Sequence, residues 1–141
     1  MTIVWRSKMS VGEPVIDNDH KRLISLINDY EKAIEAKSVN LLKNSFDKLL
    51  EYTEIHFNRE ENLMRAIHYS GYKDHKIMHQ LLIDNLNRFH HQVVHKGEHI
   101  SISKANDFMH DWLIDHVLNE DMKIKPLLMG KDLREVDQSW K

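Results

Sequence analysis

Seven side chains able to bind a metal recur along this 141-residue sequence at helical spacing: His20, His56 with Glu60, His75 with His79, and His116 with Asp121. Residues four apart on a helix differ by about 40° around the axis and about 6 Å along it, so His56 and Glu60 form one pincer and His75 and His79 another. All but Asp121 occupy positions that the neighbouring apolar residues mark as core. Burying one ionisable group without a partner costs several kcal/mol, and six such groups would exceed the whole stability of a small domain, about 5 to 15 kcal/mol. They need a shared partner. One divalent ion takes four to six ligands, so five imidazoles and two carboxylates suit two ions that share bridging carboxylates. This donor set fits iron or manganese, and zinc is compatible with it. Singly, each residue would read as a hydrogen-bonded core histidine or a solvated helix pair; jointly, with a contribution from each of four helices, they do not.

One spacing departs from an ideal helix. Asp121 follows His116 by five residues, an offset of about 140°, so both face inward only if the helix is locally rewound. A π-like turn between them is the expectation, with Glu120 as the alternative ligand. Leu23, Phe57, Trp112, Leu113 and Val117 lie one to four residues from His20, His56 or His116 and would either wall the centre against water or simply pack the core. The other histidines read differently. His68 and His110 are ordinary polar residues, His91, His95 and His99 a solvated stripe, and His90 a polar residue at the bundle end.

These positions require long helices to hold them. With only 4 glycines and 2 prolines, and apolar residues recurring at steps of three and four, the chain reads as all-α. The first helix is expected from Asp17 or Asp19, after the Gly12-Glu13-Pro14 break, with His20, Leu23, Ile24, Ile27 and Ile34 inward. A break at Lys37-Ser38 precedes a second helix whose seam is Leu42, Phe46, Leu49, Thr53, His56, Glu60, Leu63 and Ile67. Gly71 leads into a third, carrying Tyr72, His75, His79, Leu82, Leu86, Phe89 and Val93 and ending near Gly97. The fourth, opening at Ser101 or Ser103, carries Ala105, Met109, Trp112 and His116, and Pro126 should end or kink it. Short connections imply an antiparallel up-down-up-down four-helix bundle. The division expected is an extended N-terminal arm over residues 1–16 with Ile3, Val4 and Trp5, a bundle over 17–129, and a tail over 130–141. The tail's Leu133, Val136 and Trp140 have no assignable place.

Composition narrows the function. A hydrophobic content of 41% supports one core and a single domain. Lysine plus arginine number 20 against 22 acidic residues, a net charge of -2, which leaves no basic field for nucleic acid or anionic lipid. No apolar run approaches the roughly 20 residues that cross a bilayer, and the opening MTIVWRSKMS lacks a secretory apolar stretch, so a soluble, cytoplasmic monomer is expected. Cysteine is absent, which removes disulfides and thiolate ligands.

The segments I-D-N-D-H ending at His20, H-F-N-R-E-E-N-L-M from His56, H-K-I-M-H from His75 and W-L-I-D-H-V-L-N-E-D ending at Asp121 resemble those of the hemerythrin family, over Trp5 to about Asp121. The resemblance implies that His75, His79 and His116 hold one iron and His20 and His56 another. Glu60 and Asp121 would bridge this di-iron centre together with an oxo or hydroxo group. It further implies reversible dioxygen binding at an open position on the second iron, for storage or delivery, in a single hemerythrin-like domain that is not an enzyme. Sensing of oxygen or nitric oxide through a partner would call for an output domain. A di-iron oxidase or peroxidase would call for an acid or base where the nameable neighbours are apolar.

Overall fold

The computed structural model describes residues 2–97, 99–130 and 132–141; Met1 of the expected arm and Lys131 of the expected tail lie outside them. Four long helices carry the chain: α1 (Pro14–Glu35), α2 (Val39–Ala66), α3 (Tyr72–His90) and α4 (His99–Asp115). Helix α1 packs on α2, α2 on α3, α3 on α4, and α4 returns to α1, closing a four-helix ring. The short connections reverse the chain each time. The protein is an all-α four-helix bundle, and the described residues contain no strand. None of the described helices is long and apolar enough to cross a membrane.

The apolar spacing predicts the buried face of α2 well, whereas Ile34 of α1 and Tyr72, Leu82 and Phe89 of α3 are only half-buried. Leu42, Phe46, Leu49, Thr53, His56, Glu60 and Leu63 of α2 and its capping residue Ile67 are all buried. The polar pair His56 and Glu60 thus lies between two apolar stretches of one seam. Tyr30, Phe46, Leu49, Leu86 and Met109 belong to one cluster, and Ile16, Leu63, Met64, Ile67, Ile124 and Leu128 to a second.

Helix ends differ from expectation for local reasons. Helix α1 opens at Pro14, before Asp17 and Asp19. Proline suits a first turn because its missing N–H has no partner there anyway, and the Glu13 carboxylate accepts the Ile16 N–H at 2.9 Å. Gly12, at φ +84°, supplies the left-handed turn before it. Asp17 instead accepts from the Ser10 hydroxyl and the Val11 N–H, pinning the arm. Helix α4 opens at His99, two residues ahead of Ser101, whose buried hydroxyl meets Gln92 at 3.3 Å and so is no cap. The preceding α3 passes into a π turn, His91–His95.

Pro126 neither ends nor kinks α4. That helix gives way to a π turn, His116–Glu120, then a tight turn, Asp121–Lys123, and Pro126 sits in the first turn of a further short helix, α5 (Lys125–Met129). Both ends of the chain dock on the bundle. Asn28 exchanges two 2.9 Å hydrogen bonds with the Ile3 backbone. In the tail, Trp140 is 3% exposed, among Val11, Ile16, Leu63 and Leu128.

Candidate metal centre

Each helix delivers its polar residues by its own backbone. His20 comes from α1, His56 and Glu60 from α2 and His75 and His79 from α3, and all five are buried. At the end of α4 the Asp121 N–H bonds the His116 carbonyl, five residues back. That π turn is what lets His116 and Asp121 share a face despite their spacing. Glu120, the alternative, turns outward to Lys123 at 3.1 Å.

The seven side chains converge in two overlapping groups. Glu60, His75, His79, His116 and Asp121 place donor atoms within 4.8 Å of one another, and so do His20, His56, Glu60 and Asp121. The carboxylates sort their oxygens between the groups. Glu60 Oε1 lies 2.8 Å from His75 Nε2 and 3.2 Å from His79 Nε2, and Asp121 Oδ1 lies 2.8 Å from His116 Nε2 and 3.0 Å from His75 Nε2. Their other oxygens face the opposite way, Glu60 Oε2 3.2 Å from His56 Nε2 and Asp121 Oδ2 2.9 Å from His20 Nε2.

These approaches are short, yet both oxygens of Glu60 and of Asp121, and Nε2 of His20, His56 and His75, lack any properly directed hydrogen bond. Atoms that crowd together without pointing along one another's N–H axes are aimed at points between them. Nitrogen and oxygen donors so arranged fit a pair of cations that the two carboxylates would share.

Two carboxylates outside the groups hold the rings from behind. Asp19 Oδ2 lies 3.0 Å from His56 Nδ1, and Glu61 Oε2 lies 2.9 Å from His79 Nδ1. A carboxylate there accepts a hydrogen bond from Nδ1–H, which fixes the tautomer whose Nε2 lone pair is free to bind a metal. Sequence reasoning missed both, since Asp19 resembles a cap and Glu61 a surface residue. The signal was the H-x-x-x-E-E run itself, whose last glutamate points to the next helix. Burial opposes ionisation of Asp19, but hydrogen bonds from His56, Tyr52 and Arg59 prevail and push it down to about 2.

The five apolar neighbours named from the sequence, Leu23, Phe57, Trp112, Leu113 and Val117, are all buried in one cluster. Phe57 stacks flat on His79, centroids 3.8 Å apart at 3°, and meets Trp112 edge-on at 5.8 Å. The remaining histidines stay out of the groups. His68, His91, His95 and His99 are exposed. His90 pairs with Asp47 and abuts Phe46, and His110 is half-buried, 3.8 Å from Glu31.

Without a cation, protons must balance the two carboxylates. Burial alone would depress the imidazoles, but Asp121 and Glu60 outweigh it and raise His20 and His75 to about 10 and His116 to about 9. A raised histidine stabilises the fold fully below its unfolded value near 6.5, and that contribution disappears as pH climbs through the folded value. Burial also opposes ionisation of Glu60 and Asp121, yet the histidines hold both well below the usual carboxylate range, so their contribution is lost only in acid. The metal-free chain is therefore expected to lose thermal stability between about pH 7 and 10, while a metal-loaded chain does not. Parallel melting curves against pH check this; a flat metal-free profile would contradict it.

Such a fold and such a cluster define a class, the helical-bundle proteins that gather histidines and carboxylates around cations. The family model described as "Hemerythrin HHE cation binding domain" matches residues 11–128. The chain belongs to the hemerythrin family. It is 30% identical over 119 residues to a bacteriohemerythrin of Pseudomonas aeruginosa, covering 84% of this chain and 76% of that protein. It is 29% identical over 123 residues to a myohemerythrin of Sipunculus nudus, covering 86% and 90%. A crystal structure of a hemerythrin point mutant superposes with a TM-score of 0.82 at 22% identity, covering 91% of this chain and 98% of that one, a likeness of fold.

Proposed function

We propose that this chain holds two iron ions in its interior and binds dioxygen reversibly between them and the apolar wall, for storage or delivery. The observation that carries the reading is the unequal split around shared carboxylates. Three imidazoles face Glu60 Oε1 and Asp121 Oδ1, and only two, His20 and His56, face Oε2 and Oδ2. An ion held by His20 and His56 would have one protein donor fewer and so would leave room for an exogenous ligand. Iron in the ferrous state supplies the electrons that hold dioxygen.

The protein's part is to position and to exclude. Asp19 and Glu61 fix the rings of His56 and His79. Two carboxylates do not neutralise two divalent ions, so the centre stays net positive, which disfavours the high oxidation states of carboxylate-rich oxidising sites. Leu23, Phe57, Trp112, Leu113 and Val117 keep water and protons away. Dioxygen is small and apolar and tolerates such a wall.

The test is spectroscopic. Iron-loaded protein is reduced, exposed to oxygen and followed for a ligand-to-iron charge-transfer band, then purged with argon. A band that disappears on purging and returns with oxygen supports the reading. Irreversible bleaching with consumption of a reductant would replace it with an oxidase or peroxidase.

A further inference from the structure

The C-terminal segment reaches the centre through one side chain. Arg59 immediately precedes Glu60 on α2, and its guanidinium reaches Asp19 and Lys141 rather than either donor group. Its Nε donates to Lys141 O at 3.1 Å, and its Nη1 pairs with Asp19 Oδ1. Asp19 in turn accepts from the Tyr52 hydroxyl at 2.6 Å and holds His56 Nδ1 through its other oxygen. The run from the tail to a candidate ligand is therefore Lys141, Arg59, Asp19, His56, each in direct contact with the next.

The tail is anchored for this. Trp140 is buried in the second apolar cluster with Ile16, Leu63 and Met64, Ser139 N–H bonds the Asp137 carboxylate at 2.9 Å, and the Gln138 amide reaches the carbonyls of Leu133 and Val136. A guanidinium suits the junction because its rigid fork serves two acceptors at once, while a lysine ammonium on a flexible stem does not fix both directions. Among the described residues, nothing comparable lies behind Glu61, whose oxygen holds His79 directly.

We infer that Arg59 is a positioning residue, through which the segment Gln138–Lys141 fixes Asp19 and hence the ring of His56. It rests on the proposed two-ion reading for its consequence, since the ion held by His20 and His56 is the one affected. The relay itself is a property of the metal-free chain as well.

Two measurements test it on the full chain. Iron-loaded wild type, Arg59→Ala, Arg59→Lys and Trp140→Ala are mixed with a ferrous chelator and release is timed. In Arg59→Ala one ion of the two should leave about 10-fold faster, the scale expected when a ligand loses its outer partner, and the other at the wild-type rate. Arg59→Lys should fall between, and Trp140→Ala should follow Arg59→Ala in direction. Acceleration of both ions equally, or of neither, overturns the inference. In the metal-free protein, nitrogen-edited NMR of His56 should show an Nδ1 proton protected from solvent in wild type and exchanging about 10-fold faster in Arg59→Ala. Equal exchange overturns the relay even if iron binding fails, whereas a wild type that holds fewer than two ions overturns only the functional reading.

Discussion

Replacing Glu60 with alanine is expected to bring bound iron from about two ions to below one per chain, a loss matched only by the same change at Asp121. Glu60 is fully buried, and it is one of two residues present in both donor groups. Removing it takes an oxygen donor from each side at once, Oε1 from His75 and His79 and Oε2 from His56. His20→Ala takes a donor from one group only, so that variant should keep about one ion. Glu60→Gln is the sharper comparison, because an amide has one oxygen where the carboxylate has two. It can serve one side, and intermediate metal content should follow. Elemental analysis after dialysis against buffer decides among these outcomes, and retention of two ions by Glu60→Ala would remove Glu60 from the centre.

The convergence of the seven side chains was legible because burial and polarity conflict so sharply there. Residues such as His56 and Glu60 sit in a seam where leucine is expected, and period-3.6 geometry then says which way they point. The same geometry exposed the anomaly at Asp121, and the π turn His116–Glu120 is the backbone's answer to it. What stayed illegible has a common physical cause. Asp19 is acidic and near a helix start, the ordinary position for a residue favouring the helix dipole, so nothing local distinguishes it from a cap. Its role comes from Arg59, forty positions later, and from Tyr52 and His56 on the facing helix. Trp140 likewise has no periodic neighbours, so its burial depends on a surface formed by α1, α2 and α5 together. Side chains that act along their own helix can be read from spacing; those that bridge between elements cannot.

Phe57→Ala should both destabilise the fold and shorten the life of ferrous iron in air, and the pairing of effects follows from where the ring lies. One face of Phe57 stacks on His79 and its edge meets Trp112. It also lines a 330 Å³ surface cleft between α2 and α3, whose other walls include Glu54, Asn58, Glu61 and Lys76. The ring thus covers one face of His79, which itself lines the cleft, and narrows the way from the cleft to the interior. Its truncation removes well-packed apolar volume, about 3 to 5 kcal/mol of stability for a buried phenylalanine, and widens the way from the cleft past His79 to the other histidines. Water and protons entering there would let dioxygen from air keep the electrons it takes from ferrous iron and leave as hydrogen peroxide, with ferric iron left behind. Leu113→Asn separates the two contributions, because Leu113 is buried in the same apolar cluster but does not line that cleft. It should raise the oxidation rate by adding polarity without opening a channel, and less than Phe57→Ala does. Phe57→Leu, which keeps that cover apolar, should stay close to wild type in air. If ferrous lifetimes are unchanged in Phe57→Ala and Leu113→Asn while both retain iron, these side chains pack the core and do nothing to shield it.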